Sequence, residues 1–378
     1  VNAQAPRPQH RSGTPGATLR PGDLRLDGVI GRGGFRLPLT MDFRAGETLV
    51  LLGANGAGKS TLLETLGGLI PLLEGELLRI GSDGATVLSG PRGTVPAERR
   101  RAGFVHQDYL LFPRMTALEN VAFGLRARGV GKKEAHASAA AQLRRLGLTE
   151  AQAGSRPGAL SGGQRQRVAL ARALAGEPDM LLLDVPLAAL DAGTRAQARA
   201  QVYAQLREFP GPRVLVTHDL TDALSLGDRI AVLDQGTLAQ IDSPAEITRT
   251  PRTPYLAELL GINLFSGLAR RGRLSIGHSR VTAPTELDGR VLVTLPREAV
   301  TVNTEAPAKA GRNTFEARVV AVQEDAQGIT VAVSPTDPDV GLACSARVPL
   351  TSLPTAPIRL GAPVWATVDE SALHAYPF

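Results

Sequence analysis

Gly53-Ala54-Asn55-Gly56-Ala57-Gly58-Lys59-Ser60 sets three glycines, an ammonium and a hydroxyl at the fixed positions of the pattern GxxxxGK[ST]. Glycines at 53, 56 and 58 let backbone N–H groups point inward with no side chain in the way, which is what a phosphate group needs. In such a loop Lys59 reaches the β and γ phosphates of a nucleoside triphosphate, Ser60 offers its hydroxyl to Mg2+, and Thr61 donates to the α phosphate. Farther along, Met180-Leu181-Leu182-Leu183-Asp184 is an apolar run ending in a carboxylate, the arrangement that sets an acid beside the metal of a bound triphosphate. The bland readings are a glycine-rich turn before an ordinary helix, and a helix N-cap for Asp184.

The loop works only between a strand and a helix. Thr48 to Leu52 reads as a short apolar strand, and Ser60 to Leu69 has helical spacing, so the helix presents its positive end to the loop. Upstream, Leu24 to Phe43 alternates apolar and polar residues around four glycines, which predicts an antiparallel edge hairpin leading to Gly46. Residues 116–174 are mainly helical: Leu118 to Arg128, Lys132 to Leu146, and a helix opening near Ser161, a good N-cap. Met180 to Leu183, Val214 to Val216 and Ile230 to Leu233 read as buried parallel strands, with Ala192 to Phe209 and Leu220 to Leu226 as intervening helices. The first domain is therefore α/β. After Pro251 and Pro254 the pattern changes to short β runs: Gly267 to Ile276, Arg290 to Leu295, Phe315 to Gln323, Ile329 to Val333, Ala343 to Val348 and Val364 to Val368. These predict a small barrel, with Leu292 to Val302 and Thr314 to Val333 as its two halves.

Composition narrows the choice. A chain of 378 residues with 43% hydrophobic content fills two cores. The single cysteine, Cys344, excludes an internal disulfide framework and a multi-cysteine metal site, which suits a reducing cytosol. No apolar run approaches the roughly 20 residues that cross a bilayer. Val1 to Pro21 carries Arg7, Arg11 and Arg20 without an apolar core, and reads as a flexible basic tail rather than a secretory signal. The net charge is +6, but arginine is spread along the chain and aromatics are only 4%, so no nucleic-acid surface is expected.

Leu160-Ser161-Gly162-Gly163-Gln164, continued by Arg165-Gln166-Arg167, lies between the phosphate loop and Asp184. Together these motifs resemble the ATP-binding cassette (ABC) ATPases of membrane transporters. The resemblance implies a phosphate-loop nucleotide-binding domain over residues 21–250, with a parallel core sheet, an antiparallel β edge and a helical subdomain at about 105–175. A linker at 251–264 and a C-terminal OB-like barrel of the TOBE/Mop kind at 265–378 would follow a tail at 1–20. In that family Gly53 to Thr61 bind ATP, Ser60 and Asp184 hold Mg2+, and Gln107 of the glutamine loop touches Mg2+ or the attacking water while sensing the permease. His218 matches the switch histidine at the γ phosphate. Asp191 matches the loop crossing the dimer interface, and is equally an N-cap for the helix from Ala192. Leu160 to Gln164 would cap the γ phosphate held by a second copy, giving a homodimer around two ATP molecules. Phe35 is the candidate for stacking on adenine, or is simply core.

One departure stands out. The family pattern is LLLDEP, and this chain reads Leu183-Asp184-Val185-Pro186, so Val185 replaces the expected glutamate. Valine neither accepts a proton nor orients water, and loss of a positioned base costs about 10²- to 10⁴-fold in rate. ATP binding should be intact and hydrolysis weak. An altered position, a slow ATPase, or a partner carrying the glutamate would each account for it.

Phe112-Pro113-Arg114-Met115-Thr116-Ala117-Leu118-Glu119-Asn120-Val121 resembles the surface of importer ATPases that receives a permease. This implies integral-membrane permease subunits on separate chains, an indirect substrate-binding protein, and a peripheral place on the cytoplasmic face of a bacterial inner membrane. Gly261-Ile262-Asn263-Leu264-Phe265-Ser266-Gly267 looks like the molybdate importer ATPases, and Arg312-Asn313 with Ala317-Arg318-Val319 resembles the start of a molybdate-binding barrel module. Lys309-Ala310-Gly311 stand where that module has a serine and alanine, and Arg312-Asn313 is otherwise a turn before a strand. Sulfate, iron and sugar importers carry related tails, and a weakly hydrolysing ATP-dependent switch is the rival of another class. A DNA-repair or translation ATPase would add a coiled coil or a second cassette, and neither occurs.

Overall fold

Alternation at Leu24, Leu26 and Ile30 against Leu37, Leu39, Met41 and Phe43 buries one face of an antiparallel pair, β1 (Leu24–Arg32) and β2 (Phe35–Phe43). This is the first element of a computed structural model that describes residues 18–185, 195–276, 279, 281–307, 313–325, 328–337, 339, 341–349 and 358–378. The chain divides into two units, residues 1–247 and 248–378.

In the first unit β3 (Thr48–Gly53), buried at every position, leads through the glycine-rich loop into α1 (Lys59–Gly67). Next come β4 (Glu74–Gly81), β5 (Gly84–Gly90), the two-residue β6 (Gly93–Thr94) and β7 (Ala102–Val105). The helices α2 (Ala117–Ala127), α3 (Lys132–Arg145), α4 (Glu150–Ala153) and α5 (Gly162–Ala175) follow. Three of them open on a capping box, Thr116 with Glu119, Thr149 with Gln152 and Ser161 with Gln164. Then come β8 (Met180–Asp184), α6 (Arg195–Glu208), β9 (Arg213–Val216), α7 (Leu220–Leu226), β10 (Arg229–Asp234), β11 (Thr237–Asp242) and α8 (Pro244–Arg249).

Two sheets result. The order β2-β1-β4-β5-β6 is the antiparallel one, and the order β11-β10-β3-β9-β8-β7 is parallel except for β11. Parallel pairing puts the C-terminal ends of β3, β7, β8 and β9 on one edge, where ligands of open α/β sheets bind. The phosphate loop, Gln107, Asp184 and His218 all leave the sheet at that edge.

Arg100 ties this edge's supports together from below. It is 2% exposed, and Nη1 donates to the carbonyls of Thr65 and Leu66 (2.7 and 2.9 Å), capping the C-terminal end of α1. Nε donates to Val95 O (2.9 Å), and Nη2 to Leu88 O (3.1 Å) and Ser89 Oγ (2.7 Å). Burial pushes its pKa down to about 10, so it stays charged at neutral pH. Arg100→Met strands these carbonyls without a charged donor, and is expected to destabilise the unit by about 3–5 kcal/mol, read by urea unfolding of both proteins. A loss under about 1 kcal/mol would contradict this account.

The second unit opens on α9 (Pro254–Leu260), capped by Thr253 Oγ1 accepting from Leu256 N (3.1 Å) and ended by Gly261 at φ 71°. The stretch expected as a linker thus contains a capped helix and the start of a strand. The strands are β12 (Ile262–Arg270), β13 (Arg273–Ile276), β14 (Thr282–Pro284), β15 (Gly289–Pro296), β16 (Val300–Asn303), β17 (Thr314–Asp325), β18 (Gly328–Pro335), β19 (Cys344–Pro349), β20 (Pro363–Val368) and β21 (His374–Pro377). The run Gly267 to Ile276, expected as one strand, is a hairpin turning at Arg271 and Gly272, both at positive φ (50° and 76°).

The strand orders β14-β13-β12-β15-β21 and β19-β18-β17-β20-β16 match position for position. Each half is a long strand, three more strands, a 3-10 turn and a short strand, and the two halves exchange that last strand. The halves are therefore 262–303 and 314–377, not the expected 292–302 and 314–333. Equivalent asparagines open both halves. Asn263 accepts from Ser345 N (2.7 Å) and donates to Ser345 O (2.9 Å), and Asn313 pairs the same way with Thr282 (3.3 and 3.3 Å). Both sheets contribute to one apolar core, as the expected all-β barrel requires.

Candidate functional site

β3 ends where the chain must pass a neighbouring backbone. At Gly53 (φ 153°) a Cβ would lie 2.3 Å from Leu233 O, so only glycine fits. Gly58 (φ 102°) precedes α1 with no side-chain cap, so the first-turn N–H groups of α1 have no intrahelical partner and face the loop. Phe35 packs against Gly58, its ring 2.8 Å from where a Cβ would stand, and is half-buried on the core below. Ala54, Asn55 and Gly56 are exposed at the loop's tip, while Ala57 is buried.

Lys59 is buried, and its Nζ donates to Gly53 O (2.8 Å) and Ala54 O (2.9 Å). Burial lowers its pKa while Asp184 opposes that shift, which sets the two charges within electrostatic reach. Ser60 Oγ donates to Asp184 Oδ2 at 3.2 Å. Motifs separated by more than a hundred residues thus meet at one edge of the sheet.

His218 follows β9 at the same edge, its side chain exposed. Its pKa is lowered by partial desolvation and by Lys59, with Asp184 opposing, so the imidazole is neutral at pH 7. Gln107 is exposed in the turn after β7. Beside it, His106 was not singled out from sequence. The register Val105↔Leu183 sets it next to Asp184, and its ring stacks on Phe104 at 4.1 Å. Burial and Arg172 lower its pKa, against Asp184 and Glu64.

Arg172 on α5 is a second residue that sequence reasoning missed. Its Nη1 and Nη2 donate to Leu110 O and Tyr109 O, both at 2.7 Å, so the helix behind Ser161 clamps the turn after Gln107. Asn120 holds the next stretch by accepting from Phe112 N (2.8 Å) and donating to Phe112, Met115 and Thr116 carbonyls. An arginine and an asparagine in helices carry no signal until burial selects them.

Ser161 is the N-cap of α5: its Oγ accepts from Gln164 N (3.3 Å), and Gln164 Oε1 accepts from Ser161 N (2.8 Å). A hydroxyl that accepts still has its proton to donate. Leu160 is buried beneath, and Gly162 and Gly163 form the first turn of α5. At the end of β8, Val185 stands at φ 44°, its N–H bonded to Val216 O (3.0 Å) and its side chain packed on the apolar cluster under α1. Asp191 and Arg312 lie outside the described residues, and Asn313 is buried with its amide engaged by Thr282.

Away from this edge, Phe112 and Phe123 pair at 4.6 Å and are both exposed, with the Arg172 guanidinium 5.8 Å from the Phe112 ring centre. Among the described residues no helix is long and apolar enough to cross a membrane.

The ABC transporter family matches residues 37–188. The molybdate/tungstate import ATP-binding protein of Pyrococcus horikoshii is 34% identical over 90% of this chain and 95% of its own. The sulfate/thiosulfate import ATP-binding protein of Bacillus cereus is 40% identical over 69% of this chain and 73% of its own. Among solved structures, the dimeric ATP-binding cassette MJ0796, in a post-hydrolysis state bound to ADP and Pi, aligns at TM-score 0.50 and 31% identity over 59% of this chain and 98% of its own.

Proposed function

From the premise that this chain belongs to the ATP-binding proteins of ABC importers, we propose that it binds MgATP at the Lys59 edge, closes on a second copy, and drives uptake of a tetrahedral oxyanion, molybdate or tungstate, through a separate permease. The observation that carries the ATP site is Ser60 Oγ at 3.2 Å from Asp184 Oδ2, beneath the uncapped start of α1. A hydroxyl and a carboxylate oxygen suit Mg2+, which keeps few protein ligands and takes the rest from water and phosphate. Among the described residues no larger cluster of metal-binding side chains is assembled. Bound with ATP, the ion neutralises charge on the β and γ phosphates.

The chain's own groups do the rest. Lys59 and the α1 N–H groups bind the phosphates, neutral His218 stands ready to accept or donate a hydrogen bond near the γ phosphate, and Ser161 offers its hydroxyl proton to the nucleotide of the other copy. Two such sites relate isologously, giving a C2 homodimer. Asp191 and Gln107 retain the roles of dimer contact and permease sensor in this reading, and Phe35 that of adenine platform. With Val185 beside Asp184, turnover is slow.

The exposed Phe112–Phe123 pair supports a permease segment as the partner, since exposed aromatic pairs rimmed by arginine mark interaction sites. That partner sets the chain on the cytoplasmic face of a membrane, with a substrate-binding protein acting on the far side. Oxyanion choice rests on the molybdate/tungstate relative spanning the barrel as well as the ATP-binding unit, whereas the sulfate relative matches a smaller share. Vesicles holding the chain with its cognate permease and binding protein are expected to accumulate labelled molybdate on MgATP, with at least tenfold preference over sulfate. Equal uptake of both, or sulfate alone, would refute the oxyanion assignment. Uptake independent of ATP would refute the coupling.

A further inference from the structure

Gln166 lies on α5, five residues after Ser161, and faces the ends of two strands. With Leu170, Val105 of β7, Leu183 of β8, and Val202 and Leu206 of α6, it lines a cavity of about 10 Å³. It is 2% exposed, and neither Oε1 nor Nε2 has a hydrogen-bond partner among the described residues. All its companions in the lining are aliphatic. Such a cavity holds one water at most, and a water needs about two to four polar partners to stay bound. A buried amide without partners costs stability, whereas methionine or leucine in its place costs little.

A second unfavourable feature meets the same strand end. Val185, two residues beyond Leu183, stands at φ 44°, a conformation that β-branched residues rarely adopt. Alternate residues of a strand share a face, so an extended Val185 would share the face of Leu183, against which Gln166 is packed. In the left-handed conformation its side chain instead joins the apolar cluster that includes Leu62, Leu63 and Leu66. One rearrangement at Val185 relieves both features.

We propose that Gln166 is a positioning residue for the strand end that carries Asp184: when Val185 leaves the left-handed region, a peptide group next to it pairs with the Gln166 amide. The helix that begins at Ser161 is thereby tied to the geometry around Asp184. Gln166 touches no nucleotide and acts through this strand. The inference rests on the ATP-coupled reading above.

The test compares the full chain with Gln166→Met and, as a second apolar replacement, Gln166→Leu. Without nucleotide, removal of the unpaired amide is expected to raise the thermal midpoint by about 3–6 °C. The further rise conferred by saturating MgATP should be less than half that of the wild type. ATP turnover should lose roughly tenfold in kcat with KM for ATP unchanged, a split that a purely structural residue would not produce. A nucleotide-free midpoint that stays or falls in both variants overturns the proposal, because the amide is then paired in the described arrangement. A raised midpoint with unchanged kcat and unchanged MgATP response also overturns it, because the amide is then only a cost. Wild-type protein that gains no stability from MgATP refutes the ATP-coupled reading instead, and that arm separates the two failures.

Discussion

Val185→Glu raises steady-state ATP turnover by about 10²- to 10⁴-fold, the range that a positioned general base supplies. The groups proposed to hold the phosphates, Lys59, Ser60 and the start of α1, make their hydrogen bonds without the side chain at 185, so nucleotide affinity stays within about twofold. A carboxylate at this position follows Asp184 directly and opens onto the same sheet edge as His218. The backbone favours the change as well. At φ 44° a valine crowds its branched Cβ, and an unbranched glutamate is less strained there. Opposing this, part of the valine side chain packs on the cluster under α1, so the glutamate must swing its carboxylate out to solvent. Phosphate release and nucleotide titration on matched preparations decide it. Equal turnover by the two proteins sinks the idea that position 185 limits the rate.

That departure was legible because the resemblance to the ABC ATPases sets a glutamate directly after Asp184, and Val185 breaks that pattern. Its left-handed backbone was not legible, since nothing in Leu183-Asp184-Val185 encodes a sign of φ. The phosphate loop and the cap at Ser161 could be read from sequence for a related reason. Glycine spacing and a Ser-x-x-Gln box are local, and local chemistry fixes their geometry. Strands β4 to β6 escaped notice because Glu74–Gly81 fully buries only Leu77 and has glycine at its second and last positions, so no alternation betrays it. Arg100, Arg172 and Gln166 escaped for another reason. Polar residues in helices and turns look solvated in sequence, and only tertiary packing turns these into a helix cap, a loop clamp and an unpaired amide. The barrel's duplication shows in sequence only as Asn263-Leu264-Phe265 and Asn313-Thr314-Phe315. Exchange of the last strands hides the rest, because neither half is contiguous with its own sheet.

Lys59→Ala should sharply weaken the MgATP response at concentrations that just saturate the wild type. Two of the three ammonium donors already fix the loop through Gly53 and Ala54 carbonyls, so the side chain is arranged before any phosphate arrives. Hydrogen bonds from a charged donor to phosphate oxygens are worth about 1.5–3 kcal/mol each. Losing the one bond that the third donor can make weakens binding by roughly 10- to 10²-fold. Removing the ammonium also takes away a positive charge coupled to Asp184, and a triphosphate brought beside a less compensated carboxylate is repelled. The fold should survive, because alanine keeps the helix and the loop's backbone turn rests on glycines at 53, 56 and 58. Circular dichroism therefore accompanies the titration of both proteins with MgATP. A folded variant that binds within threefold of wild type would show that the phosphates are held elsewhere, and the site at this sheet edge would have to be abandoned.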